Sequence, residues 1–110
     1  MAIPYGRHSI DQADIDAVVE VLKGDWLTTG PNVTKFEAEI AKRSGTADSV
    51  VVSNGTAALH AAYRAAGIKA GDEVITTPMT FAATAAAAIA EGAKVVFADI
   101  DSDTGNLSVE

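Results

Sequence analysis

The feature that most constrains the fold is a run of three β-branched residues, Val50-Val51-Val52, that enters Ser53-Asn54-Gly55-Thr56 and then a helix-forming stretch from Ala57 to Ala66, closed by Gly67. A strand with no polar alternation is expected to be covered on both faces. Asn-Gly is also a hairpin signal, but the helical stretch that follows argues for a crossover. The same grammar repeats downstream. Lys69-Ala70-Gly71-Asp72 reads as a turn, Glu73 to Thr76 as a strand and Thr77-Pro78 as a break. Phe81 to Glu91 reads as a helix stopped by Gly92, and Lys94 to Ile100 as a third strand. Strand–helix–strand–helix–strand with short turns predicts an α/β fold built on a parallel sheet with right-handed crossovers. The helix from Phe81 is Ala-rich and apolar almost all round, as a helix enclosed by neighbours must be. Three parallel strands leave sheet edges uncovered, so the chain is expected to be part of a larger α/β domain.

The first part of the chain follows a different pattern. Ser9 with Gln12 three residues on makes a capping-box signature. Ile15, Val18, Val19 and Leu22 then form one apolar stripe of an amphipathic helix ending near Gly24. Asp25 to Pro31 breaks the period and reads as a loop. A second helix follows, with Val33, Phe36 and Ile40 facing in and Gly45 placed to close it. The expected organisation is an N-terminal helical arm with its loop over 1–48 and an incomplete α/β domain over 49–110.

Composition excludes several classes of function. The net charge of −7 argues against nucleic acid, which needs a Lys/Arg surface to displace counterions. A phosphorylated small ligand remains possible, because backbone amides at one helix end hold an anion locally. The absence of cysteine removes disulfides and thiolate metal sites. Met1 to Ser9 has no apolar core of a signal peptide, and the longest low-polarity run, Phe81 to Ala90, is too short to span a bilayer. A soluble cytoplasmic protein is expected, with the Asn-x-Ser/Thr sequons at Asn32, Asn54 and Asn106 occurring by chance.

Chemistry concentrates at two turns. In an open α/β sheet the ligand crevice lies at the carboxyl ends of the strands. There the amides of Gly55, Thr56 and Ala57, with the positive end of the helix dipole and the Thr56 hydroxyl, make an anion cradle. The competing reading is a plain strand-to-helix turn with Asn-Gly chosen for its backbone freedom. Phe81, after the next strand, reads either as a flat support for a planar ligand ring or as core. Asp99 to Asp103, with Glu110 at the twelfth position, imitates a calcium loop but has Thr104 where that loop requires Gly. It is expected to be an acidic strand-to-helix connection. His8 and His60 have no metal-site or triad context, so no metal is expected.

Four segments, PYGRHSI (Pro4 to Ile10), DWLTTGP (Asp25 to Pro31), SNGTAAL (Ser53 to Leu59) and TTPMTFAAT (Thr76 to Thr84), resemble in order and spacing the opening third of the DegT/DnrJ family. These are fold-type-I, pyridoxal-phosphate (PLP)-dependent nucleotide-sugar aminotransferases. Within the family the N-terminal segments are most similar to the transaminases making UDP-4-amino-4,6-dideoxy-N-acetyl-β-L-altrosamine. The resemblance covers essentially the whole chain. It implies the N-terminal part of the family's large α/β domain, with parallel strands and helices on both faces.

The resemblance also implies roles for single residues. Gly55, Thr56 and Ala57 would hold the cofactor phosphate through backbone amides. Phe81 would stack on the pyridine ring, with Thr84 nearby. Tyr5, Asp25, Trp26, Leu27 and Thr28 would line the nucleotide-sugar side, although Tyr5 and Trp26 read equally well as anchors of the N-terminal arm. The family's cofactor-bonding lysine and the aspartate facing the pyridine nitrogen would lie beyond residue 110. Lys23, Lys35, Lys42, Lys69 and Lys94 do not match that lysine's motif, so no catalytic residue is expected here and the chain alone is expected to be inactive.

For the intact enzyme the resemblance implies transfer of an amino group, usually from glutamate, to a UDP-linked keto sugar in amino-sugar and surface-glycan synthesis, by a homodimer. Two alternatives stay open. One is a sugar dehydratase of the same family, with histidine in the lysine's place. The other is a phosphate-binding α/β module without catalysis.

Overall fold

A computed structural model describes residues 6–109. Contacts divide the chain into two compact units, one up to Val50 and one from Val51.

The first unit holds α1 (Gln12–Lys23) and α2 (Pro31–Ser44). The cap of α1 is Asp11 with Asp14, not Ser9 with Gln12 as the sequence suggested. Asp14 N–H donates to Asp11 Oδ1 and Asp11 N–H to Asp14 Oδ2, both at 3.0 Å. A carboxylate accepts as well as a hydroxyl at this position, and its charge is favoured by the helix dipole. Gln12, already inside the helix, donates instead to Asp16 at 2.9 Å. The helix closes at Gly24 as expected, but Ile15, Val18, Val19 and Leu22 remain exposed.

Helix α2 begins with Pro31, whose missing N–H costs nothing at the first helical position. It ends with Gly45 in the left-handed conformation, where Thr46 N–H donates to the Ala41 carbonyl at 3.0 Å. Ala41 is its buried residue, while Phe36 and Ile40 count as exposed. Ser49 Oγ–H ties the chain after the helix back to the Glu37 carbonyl at 2.7 Å.

The second unit holds α3 (Gly55–Ala65), β1 (Glu73–Thr76), α4 (Ala83–Ala90) and β2 (Lys94–Phe97). The strands pair in parallel, Glu73 opposite Lys94 through Thr76 opposite Phe97. Helix α4 makes the connection between them and packs on both strands and on α3. Close approach is possible because its inward side chains are methyl groups. Ala87 and Ala88 are 0% exposed, and Ala83 and Ala93 are nearly as buried. Tyr63 Oη–H donates to the Thr84 carbonyl at 3.2 Å, and Arg64 pairs with Glu91 at 3.2 Å, so two side chains of α3 reach the two ends of α4.

Two expectations fail from Val50 onward. Val50 to Val52 forms no ladder; Val50 is 81% exposed. A strand of this composition is stabilised by partners and by cover on both faces, and the described residues supply neither kind of cover at Val50. Strand β2 also stops at Phe97, and residues 99–108 make a tight turn rather than a lead into a helix. Asp101 N–H donates to the Asn106 carbonyl and Ser108 N–H to the Asp99 carbonyl, each at 2.8 Å, around an antiparallel bridge between Ile100 and Leu107. Asp101 Oδ1 accepts from the amides of Thr104 and Asp103 and from the Thr104 hydroxyl. The Thr104 amide first, then its hydroxyl and the Asp103 amide, hold the Asp101 carboxyl below the usual carboxylate value. Its oxygen serves the turn.

Enlarging Ala88 tests whether methyl-sized contacts set the packing of α4. Ala88→Leu is expected to cost about 1–3 kcal/mol, read as a lower midpoint in urea. The same change at exposed Ala86 is expected to stay within about 0.5 kcal/mol.

Candidate functional site

Helix α3 starts without a Ser/Thr/Asp signal and is capped by Asn54. The Asn54 backbone is extended (φ −167°, ψ 170°), its carbonyl accepts from Ala58 N–H at 3.1 Å, and its Oδ1 accepts from Ala57 N–H at 2.9 Å. In the sequence Asn54 reads only as half of an Asn-Gly turn. The signal for the cap was present, an Asn immediately before a helix-forming run. Of the three amides assigned to an anion, Ala57's is therefore engaged by a side chain. Those of Gly55 and Thr56 donate to no described group, the usual state of the first amides of a helix. A Cβ added at Gly55 would meet nothing within 4 Å among the described residues. The cradle suits one anion with two free donors and a third that is shared.

Phe81 lies in the loop between β1 and α4 and is 74% exposed. That removes the core reading among the described residues and leaves an aromatic face available. Met79, in the same loop, is exposed too. The loop is held internally, Thr77 Oγ1 accepting from Met79 N–H at 3.1 Å and the Phe81 carbonyl accepting from Thr84 N–H at 3.0 Å. Thr84 is half-buried in the first turn of α4, with its hydroxyl 3.1 Å from that of Thr80. Thr84 is thus linked both to the Phe81 loop and, through its carbonyl, to Tyr63 of α3.

The residues expected on the substrate side fall in the first part of the chain. Tyr5 lies outside the described residues. Asp25, Trp26, Leu27 and Thr28 form the connection from α1 to α2, with Trp26 and Leu27 exposed. Asp25 and Trp26 line an open groove of about 410 Å³ together with Ala17, Glu20, Asn32 and Lys35. Trp26 lies directly against Gly30: a Cβ there would sit 2.6 Å from the Trp26 Cβ. Glycine is needed at 30 for this close approach. Thr29 beside it adopts φ +48°, a left-handed conformation rare for a β-branched residue. These two constraints fix the loop and were not visible in residue spacing. Lys94, one of the lysines set aside above, sits at the amino end of β2 with its Nζ 2.6 Å from Glu73 Oε1.

The pattern of the DegT/DnrJ/EryC1/StrS aminotransferase family matches residues 8–110. The chain belongs to this family. It is 47% identical over 105 residues to the spore coat polysaccharide biosynthesis protein SpsC of Bacillus subtilis. It is 49% identical over 105 residues to a UDP-4-amino-4,6-dideoxy-N-acetyl-β-L-altrosamine transaminase of Campylobacter jejuni. Each match covers 96% of this chain and 27% of the relative, so the chain spans about a quarter of their length.

Among solved structures of the family, Helicobacter pylori PseC, an aminotransferase of pseudoaminic acid biosynthesis, superimposes with a TM-score of 0.84 at 36% identity. That match covers 96% of this chain and 29% of PseC. A Streptococcus pneumoniae protein assigned as a sugar aminotransferase, in its PLP-form, gives 0.83 at 34% identity, covering 96% and 27%. The family's large-domain α/β fold is therefore present here as its N-terminal portion.

The contact between Trp26 and Gly30 is testable with the chain's single tryptophan. Gly30→Ala is expected to displace the indole, changing its emission maximum and quenching by acrylamide. The accompanying loss of stability should be about 1–3 kcal/mol.

Proposed function

We propose that this chain is the N-terminal part of a PLP-dependent aminotransferase that moves an amino group from glutamate to a UDP-linked keto sugar, in the synthesis of amino sugars for surface glycans. The observation that carries this reading is the family pattern running through residues 8–110, which includes the start of α3 and the Phe81 loop. The enzyme would work in the cytoplasm as a homodimer, the arrangement its family resemblance implies.

In this reading Gly55 and Thr56 donate their amides to the cofactor phosphate. Ala57 contributes as far as Asn54 releases it. Two charge-assisted bonds at a helix N-terminus, each worth about 1.5–3 kcal/mol, are enough to anchor one end of a small ligand. The open side of Gly55 and the free amides support this assignment. Phe81 offers its exposed ring to the pyridine plane, and the threonine pair Thr80–Thr84 steadies the turn that carries it. Asp25, Trp26, Leu27 and Thr28, with Tyr5, contact the nucleotide sugar, the Gly30 contact holding Trp26 in place. When bound, PLP supplies the electron sink that lets an amino group leave the donor and join the acceptor carbon. This chain's share is to grip the phosphate, orient the ring and shape the sugar side.

The reading is tested on the full-length protein. Borohydride reduction followed by peptide mass spectrometry is expected to find the pyridoxyl group fixed to a lysine C-terminal to residue 110. Incubation with glutamate and a UDP-keto sugar is expected to yield the UDP-amino sugar and 2-oxoglutarate. Cofactor bound without any lysine adduct would instead favour the dehydratase, and no bound cofactor at all would favour a non-catalytic module.

A further inference from the structure

The side chain of Asn54 takes one of the three amides assigned to the phosphate, yet it is also what starts the helix that presents the other two. Asn54 Oδ1 accepts from Ala57 N–H at 2.9 Å, while Gly55 and Thr56 keep free donors on the same turn. Its amide nitrogen is turned to Ser53 Oγ at 3.2 Å, which fixes which end of the carboxamide faces the helix. As a helix cap, aspartate is the equal of asparagine, and its charge would gain further from the helix dipole. Within this chain α1 is capped by an aspartate, Asp11, with a second carboxylate, Asp14, in its first turn. Helix α3 has no acidic residue in its first turn. The two helix starts differ in the one property that a bound anion would feel.

Resting on the PLP reading above, we propose that Asn54 is a positioning residue whose neutrality is required: it orders the start of α3 without placing a second negative charge beside the cofactor phosphate. An Asp at this position would hold the helix at least as well. Its carboxylate, bonded to the amide adjacent to those that bind phosphate, would repel the phosphate dianion at short range. A pair of like charges within one helical turn costs enough at a protein surface to lower affinity by at least about tenfold.

The test compares affinities of the full-length apoenzyme for PLP and for pyridoxal, which lacks the phosphate, across Asn54→Asp and Asn54→Ser, each with a urea unfolding curve. Asn54→Asp is expected to unfold at the same or higher urea concentration, to bind PLP at least about tenfold more weakly and to bind pyridoxal unchanged. Asn54→Ser, a neutral cap, is expected to keep the wild-type preference for PLP. If Asn54→Asp folds and prefers PLP as strongly as wild type does, the neutrality requirement is overturned and the phosphate cradle stands. Equal loss of PLP and pyridoxal would overturn it as well, since that marks a structural defect. If wild type itself binds PLP no more tightly than pyridoxal, the cradle reading fails instead, and the two failures are told apart.

Discussion

The second unit depends on the small, buried side chains of α4. Ala87 and Ala88 have no exposed surface, and the helix they belong to packs on α3, β1 and β2. Alanine loses no side-chain rotamer freedom on burial and lets backbones come close, so a helix of eight residues can hold two strands and a second helix. A larger residue would push those elements apart. The position of both turns assigned to the cofactor follows from this packing. Tyr63 and Arg64 of α3 reach the two ends of α4, and the loop carrying Phe81 is the one that enters α4.

Legibility in the sequence followed how local each determinant is. Glu73–Thr76 was read to its boundaries because a short apolar run between two turn signals needs no distant information. Gly45 and Gly24 closed their helices as read. Val50 to Val52 has the strongest strand composition in the chain and yet forms no ladder, because a strand is made by its surroundings and not by the segment alone. The stripe of α1 has the periodicity its sequence shows and stays exposed among the described residues. Residues 99–108 failed for a different reason. Asp101 closes the turn on itself through one carboxylate oxygen, a local competition that the acidic pattern alone did not reveal.

The candidate site was legible in its residue types and much less so in its donors. Which amides at a helix start are free depends on where the preceding side chain points, and Asn54 removes Ala57 from that set. Phe81, which in sequence reads as core or as ligand support, is exposed among the described residues. The contact of Trp26 with Gly30 and the left-handed Thr29 show that the loop from Asp25 to Gly30 is held in a definite shape, information that lies in backbone geometry. Family membership and local geometry thus support different halves of the reading. The first names the chemistry, and the second says which atoms of this chain are available to serve it.

The central claim is that the free amides at the start of α3 bind the phosphate of PLP. Residue-resolved amide hydrogen exchange on the full-length apoenzyme, alone and with saturating PLP or pyridoxal, tests it most directly. Gly55 and Thr56 should exchange quickly in the apoenzyme and become protected with PLP but not with pyridoxal. Unchanged exchange at both residues in the presence of bound PLP would contradict the claim.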